Sequence, residues 1–378
     1  MSHDMIVFGE DWGAHPSSTQ HLIRQFLPHR KVIWVNSLGL RAPRLGLRDG
    51  MRMLRKLSDL ASRRLVAELV STEEDADLPD EIIAPAAVPL PGNETAASLT
   101  RTFVARQVNA AMNRLGVKRP LLWTSLPTAE PLLGAFGERA VVYYAGDDFG
   151  ALEGVDHRAV LKLEERLAER AELILAASPE IAERFPAERT MVAPHGVDVD
   201  LFSARRPLPT DMPLGSKIVG FYGSISGWID VDLIAQAARA FPDAQFVMIG
   251  PVSTEIEALE KLGNIHFLGA KKHSELPAYV QHFDVAMLPF RDTPQIRACN
   301  PLKLREYLAS GAAVASTDFP ALDPYRALIH VGATPEAFIE AIRKALDDKP
   351  RAALRQRVVQ NETWSRRAED IAAVIDLL

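Results

Sequence analysis

Short apolar runs alternate with stretches of helical spacing through most of the chain. MIVF, Met5 to Phe8, reads as a strand covered on both faces. A polar loop, GEDWGAHPSS, follows it, then helical spacing from Thr19 to Leu27 and a second strand, KVIWVN. This β-loop-α-β opening begins a doubly wound α/β domain. Residues 72–98 are acidic, then rich in proline and alanine, and predict a connecting strand and loops. Thr102 to Leu115 predicts a helix, and PLLWTS and RAVVYYA predict strands flanking a short helix. Arg158 to Arg170 predicts another helix, ELILAAS a strand, and TMVAPHGVDVDLF a strand closed by His195 and Gly196. Residues 203–216 are rich in proline and predict an interdomain linker. The pattern then restarts: KIVGFYG is a strand entering a glycine- and serine-rich loop, Asp230 to Ala240 a helix, and AQFVMIG, NIHFLG and DVAMLPF are strands. The tail from Asn361 predicts a final helix.

The stretch CNPLKLREYLASGAAVAST, Cys299 to Thr317, reads as a loop, a helix, a glycine stop and a buried strand. Asn300 suits the N-cap, Pro301 the first helical position and Gly311 the residue past the helix end. Lys303 falls in the first turn, where the helix macrodipole disfavours a cation, and a bound anion reverses that penalty. Glu306, one turn on, shares a face with Lys303 and is placed to accept hydrogen bonds from sugar hydroxyls. The pair therefore predicts a grip on a nucleotide, with phosphate at Lys303 and ribose at Glu306; a solvated surface pair is the bland alternative.

A second chemical candidate is Gly146-Asp147-Asp148, directly after the strand ending at Ala145. Open α/β sheets place ligands at the carboxyl ends of their strands, so Asp147, with Asp148 or Asp11 as alternatives, is a candidate general base. Turn chemistry explains Gly-Asp-Asp equally well. The first loop, which holds Asp11, Trp12, Gly13 and His15, lies at the same kind of edge but lacks a G-x-G-x-x-G dinucleotide fingerprint.

Composition narrows the classes. The 378 residues are 47% hydrophobic and 24% charged, with a net charge of −6, which suits two globular domains and does not suggest a nucleic-acid partner. A lone cysteine, Cys299, excludes an intramolecular disulfide and a cysteine metal cluster. The N-terminus lacks a basic leader and no apolar run reaches the ~18 residues of a membrane span, so a cytoplasmic location is expected. Against the acidic background, Arg41, Arg44, Arg48, Arg52, Arg55, Lys56, Arg63 and Arg64 alternate with leucine and methionine, with only Asp49 and Asp59 opposing them. This basic amphipathic segment suits an anionic membrane surface or a solvated helix face.

DWGAHPSSTQHL, YYAGDDFGAL, ELILAASPEIAERF, APHGVDVDLF, GFYGSISGWIDVDLI, NIHFLGAKKHSELPAYVQHFDVAMLPF and NPLKLREYLASG, in that order, resemble a glycosyltransferase of the GT-B architecture. The resemblance covers nearly the whole chain. It is closest to family 4 (glycosyltransferase group 1), including the bacterial cell-surface polysaccharide enzymes of the teichuronic-acid kind. It implies two Rossmann-like doubly wound domains facing a cleft: 1–200 for the acceptor, a linker at 201–216, 217–355 for the nucleotide-sugar donor, and 356–378 returning to the first domain. By the same resemblance, Glu306 and Lys303 match the glutamate at the donor nucleotide and the lysine near its diphosphate. Gly223 and Ser224 match the loop beneath the phosphates, and Asp147 an acidic position near the acceptor. Asn300, Pro301 and Leu302 of the NPLK motif and His195 of the HGVD motif join the donor side, and Asp11, Trp12, Gly13 and His15 the acceptor side.

Two departures stand out. Ala298 occupies the position, eight before Glu306, where many relatives carry a second glutamate. The loop GSISGWID lacks the arginine and lysine common there, which leaves Lys303 and Arg297 to supply positive charge. The resemblance implies transfer of a sugar from a nucleotide-diphosphate sugar to a lipid-linked or saccharide acceptor, without metal or cofactor and with retention. A nucleotide-sugar epimerase and a non-catalytic protein on the same fold are the alternatives. The basic segment would hold the protein peripherally at the inner face of the cell membrane.

Overall fold

The computed structural model of the chain describes residues 3–13, 17–38, 78–85, 94–152, 155–213 and 217–378. His15 and the basic segment 41–64 lie outside the described residues. The chain divides into two compact units, Met1–Ala193 with Ala368–Leu378, and Pro194–Arg367.

The first unit is built on a seven-stranded sheet in the order β3-β2-β1-β4-β5-β6-β7. Its strands are β1 (Met5–Phe8), β2 (Val32–Val35), β3 (Glu81–Ile83), β4 (Leu121–Thr124), β5 (Ala140–Ala145), β6 (Leu173–Ala176) and β7 (Thr190–Val192). Every pairing is parallel. The near-continuous apolar runs of β1, β2, β4, β5 and β6 are buried throughout, as a sheet covered on both faces requires. The helix before β4 runs from Glu94 to Leu115, eight residues longer at its start than the spacing predicts. Leu99 and Phe103 on this helix are half exposed, so its first turns carry no clean apolar stripe. The chain end belongs to this unit: Asp376 pairs with the buried Arg30 at 2.9 Å, and the Leu378 carbonyl accepts from Arg139.

The second unit has a six-stranded parallel sheet in the order β10-β9-β8-β11-β12-β13. These are β8 (Ile218–Tyr222), β9 (Gln245–Ile249), β10 (Ile265–Gly269), β11 (Val285–Leu288), β12 (Val314–Ser316) and β13 (His330–Val331). The proline-rich segment expected as a linker is tied to this unit. The Gln281 amide donates to the carbonyls of Phe202 (2.9 Å) and Ala204 (2.7 Å), and the Tyr279 hydroxyl donates to Asp211 (2.8 Å). The helix Leu302–Ser310 ends, as its sequence predicts, on Gly311 in the left-handed region (φ 81°). Its start differs. Pro301, not Asn300, is the cap residue, because the Asn300 side chain turns to accept from the buried Arg305 guanidinium. Arg305 also donates to Glu362 at 2.7 Å, which locks this helix against the segment before the final helix, Trp364–Ile375.

Arg355 is fully buried in this unit. Its guanidinium pairs with Asp348 at 2.6 Å and donates to the carbonyls of Leu328 and Asp348. Burial alone would raise the Asp348 pKa. Hydrogen bonds from Arg351 and His330 and the charge of Arg355 outweigh it and hold the carboxyl at about 2. Asp348→Asn is therefore expected to cost about 3–5 kcal/mol, because it strands a buried guanidinium. Urea denaturation measures this. A depressed carboxyl stabilises the fold above its unfolded pKa, so this contribution is present above about pH 4 and is lost as the pH falls toward about 2.

Candidate functional site

In each sheet the strand order reverses once, between β1 and β4 in the first unit and between β8 and β11 in the second. Ligands bind doubly wound sheets outside the carboxyl ends of the strands at such points. In the second unit, that edge starts with two glycines. Gly223 follows β8 with φ 133° and donates its N–H to the Ile249 carbonyl at 2.8 Å. Gly250 follows β9 with φ 139°, and a Cβ there would fall 2.0 Å from the Gly223 carbonyl oxygen. The two form a flat backbone platform that no side-chain-bearing residue could adopt without strain.

Lys303 lies across this platform. A Cβ on Gly223 would fall 2.1 Å from Lys303 Cε, and the ammonium sits 6.0 Å from the Phe221 ring centroid. Burial lowers the Lys303 pKa, with the Glu306 carboxylate and Cys299 partly offsetting it. The ammonium makes no hydrogen bond or ion pair among the described residues. Lys303 is thus a half-buried cation in the first turn of a nine-residue helix, where an anion is favoured over a cation.

Glu306 is buried beside it with both carboxylate oxygens engaged. Oε2 accepts from the Tyr222 hydroxyl at 2.6 Å, and Oε1 lies 2.9 Å from His273 Nε2. Burial works against its charge. The bonds and charge of His273, the Tyr222 bond and the Lys303 ammonium more than compensate and hold the carboxyl below its ordinary value. The carboxylate is an acceptor only, so His273 Nε2 carries the hydrogen. Tyr222 is pinned in turn: its N–H donates to the Tyr307 hydroxyl at 3.3 Å, and the two rings meet edge to face at 5.0 Å. Sequence reasoning missed Tyr222 and His273. Tyr222 closes a strand otherwise read as core, and His273 lies in the stretch NIHFLGAKKHSELPAYVQHF, where nothing in its local pattern marks that histidine as a site residue.

The other donor-side residues divide. Ser224 is half-buried next to Gly223, and Pro301 and Leu302 are half-buried at the helix start. Asn300 is buried and turned to Arg305, so it contributes backbone alone. Arg297 is corrected. It forms a two-point pair with Asp292 at 2.6 and 2.7 Å on the exposed surface, rimming a cavity of about 570 Å³ that Phe290, Thr317 and Gly332 also line. Its charge is already matched there. His195 is buried with its ring 6.3 Å from that of Trp364. Gly196 beside it has no room for a side chain, since a Cβ would meet the Trp364 backbone at 2.7 Å.

In the first unit, Asp147 is exposed beyond the carboxyl end of β5. Burial first, then the carboxylates of Glu10 and Asp148, raise its pKa to about 6. Because the side chain keeps solvent access, the two like charges are the firmer part of that rise. Asp148 is a structural residue: it pairs with Arg184 at 2.7 Å and accepts from the Gly150 N–H at 2.9 Å. Arg184 also pairs with the buried Glu164 at 2.6 Å, which accepts from Tyr143 at 2.7 Å. Asp11 accepts from the Ser37 N–H at 3.2 Å. Trp12, expected on the acceptor side, faces the core instead: it is buried edge-on against Trp34 at 4.7 Å, with Arg24 over its ring. Gly13 takes φ 75° and donates to Gln20. Glu10 and Ser125 are additions. Glu10 accepts from Ser17 at 2.8 Å, and Ser125 places a buried hydroxyl, without a hydrogen-bond partner among the described residues, just past β4.

Residues 216–348 match the model of the family described as Glycosyl transferases group 1. Over 276 residues the chain is 28% identical to TuaH of Bacillus subtilis (strain 168), assigned to teichuronic acid biosynthesis as a glycosyltransferase. That match spans 66% of this chain and 70% of TuaH. Among solved structures, Anabaena Alr3699/HepE in complex with UDP and glucose superposes with a TM-score of 0.70 at 14% identity, covering 100% of both chains. Sucrose-phosphate synthase from Thermosynechococcus elongatus superposes with a TM-score of 0.70 at 16% identity, covering 100% of this chain and 99% of the other. The fold is thus the GT-B fold of two Rossmann-like domains.

The platform makes a direct prediction. Gly223→Ala forces Lys303 aside and is expected to weaken nucleoside diphosphate binding by about 10-fold or more, the loss of one charge-assisted hydrogen bond. Gly263→Ala, where a Cβ meets nothing within 4 Å, is the control and is expected to bind as the parent does. Calorimetric titration measures both. In the parent, binding is expected to weaken as the pH rises through the Lys303 pKa, with a midpoint below the ordinary lysine value.

Proposed function

We propose, from the match of residues 216–348 to the group 1 glycosyl transferase model, a retaining, metal-independent transfer of sugar from a nucleoside-diphosphate sugar to a lipid-linked or saccharide acceptor in cell-surface polysaccharide synthesis. The single observation that carries this reading is Lys303: a half-buried ammonium without an ionic partner among the described residues, at a helix start, on a glycine platform. The site suits a diphosphate, with the Lys303 ammonium and the N–H groups of Leu302 and Lys303 stabilising the charge that develops on the leaving group. Glu306 takes the ribose. Uridine is the first nucleoside to test, since the HepE structures hold UDP and UDP-glucose.

In the transfer, the bond between the anomeric carbon and the phosphate oxygen breaks, the acceptor oxygen bonds to that carbon from the same face, and the acceptor's proton passes to the departing phosphate oxygen. Asp147 orients that acceptor hydroxyl in its ionised form. Lys303→Ala and Glu306→Ala are each expected to lose most activity, through donor affinity, while remaining folded. Asp147→Asn is expected to lower kcat by about 10²-fold with donor affinity kept, the effect of a misplaced acceptor hydroxyl. Because the ionised form is the active one, kcat/KM is expected to fall below about pH 6 in the parent, and that acid limb is expected to disappear in the asparagine variant. Steady-state assay of nucleoside diphosphate release checks all three. Release of an epimerised nucleotide sugar with no transferred product would replace the transferase reading.

The acceptor's location extends the proposal. No helix among the described residues is long and apolar enough to cross a membrane. The segment 41–64 carries eight cations against two anions. Each cation near an anionic surface contributes about 1 kcal/mol, enough together to hold the protein at the membrane reversibly. Co-sedimentation with anionic vesicles is expected, falling with added salt, and none with neutral vesicles. Equal binding to both vesicles would remove this part of the proposal.

A further inference from the structure

Glu306 is held from two sides that differ in character. Tyr222 reaches Oε2 from the core and is fully buried. His273 reaches Oε1 from a loop, and about a quarter (24%) of its side chain remains exposed. A carboxylate offers about four lone-pair positions. Tyr222 and His273 occupy two, and of the two partners it is His273 that reaches solvent. The positions a ligand can reach on Glu306 are therefore set by where His273 holds Oε1. The ring itself has a fixed orientation: Phe202 meets it edge-on at 5.5 Å and 66°. His273 itself opens a short 3-10 segment, His273–Glu275, whose Glu275 carboxylate accepts from the N–H of the preceding Lys272 at 2.8 Å.

We propose that His273 is a positioning residue that aims the Glu306 carboxylate at the vicinal hydroxyls of the donor's ribose and so sets the preference for ribose over deoxyribose. The proposal rests on the donor-site reading above and adds to it the residue that controls the geometry. A carboxylate aimed at two neighbouring hydroxyls accepts both. One free to rotate accepts one of them poorly, and the gain from the 2′-hydroxyl falls.

The test is calorimetric titration of UDP, GDP and ADP into the parent, and of UDP and 2′-deoxy-UDP into His273→Ala, His273→Gln, Lys303→Ala and the parent. The parent is expected to prefer UDP by about 10-fold, one charge-assisted hydrogen bond. His273→Ala is expected to lose most of that preference with 2′-deoxy-UDP affinity unchanged. His273→Gln, whose amide N–H falls near the position of Nε2–H, is expected to restore it. A merely structural histidine would instead lower the melting temperature and weaken both ligands equally. An undiminished preference in His273→Ala, or no preference in the parent, overturns the proposal. Unchanged affinity for both ligands in Lys303→Ala, or a parent that binds none of UDP, GDP and ADP, overturns the donor-site reading and the proposal with it.

Discussion

A half-buried ammonium without an ion pair among the described residues calls for a counter-charge, and the second unit leaves Lys303 without a full one. That constraint organises the neighbourhood. The helix Leu302–Ser310 must start where its first N–H groups and the lysine share one surface, which the Arg305–Glu362 bond and the Gly311 stop fix at its two ends. Gly223 must lack a side chain so that the lysine stem can lie against it, and Gly250 must lack one so that the Gly223 backbone can lie there. Glu306 partly offsets the charge but is itself bound by Tyr222 and His273, so it serves as a held acceptor and not as the lysine's ion-pair partner. The remaining demand for negative charge is the physical basis of the proposed diphosphate site.

The first unit distributes charge differently. Arg184 ties Asp148 and Glu164 together, and this leaves Asp147 as the carboxylate raised toward neutrality at the end of β5. Two adjacent aspartates of identical chemistry thus take separate roles because one has a guanidinium and the other has like charges for neighbours.

Much of this is legible in the sequence. The buried parallel strands announce themselves as apolar runs, and Lys303 in a first helical turn is anomalous enough to point at an anion before any coordinates. The order of the motifs carries the GT-B fold. What stays hidden are the effects of side chains that meet across long separations. Asn300 has the composition of a cap, and only the proximity of Arg305 turns it away. Arg297 offers positive charge near the motif, yet Asp292 claims it. Trp12 sits in a loop with functional surroundings and packs on Trp34. Tyr222 and His273 become site residues only because β8 and the loop after β10 converge on Glu306, which no local pattern encodes. The start of the helix Glu94–Leu115 escapes the periodicity because Leu99 and Phe103, in its first turns, are apolar residues that face solvent.

The central claim is that Lys303 and the helix start receive the diphosphate of the donor. A crystal structure of the protein with bound UDP tests it most directly. The account predicts β-phosphate oxygens within hydrogen-bonding distance of Lys303 Nζ and of the first N–H groups of the helix, above Gly223, with the ribose hydroxyls at Glu306. A nucleotide bound with its diphosphate elsewhere, or Lys303 turned away from it toward solvent, would contradict the account.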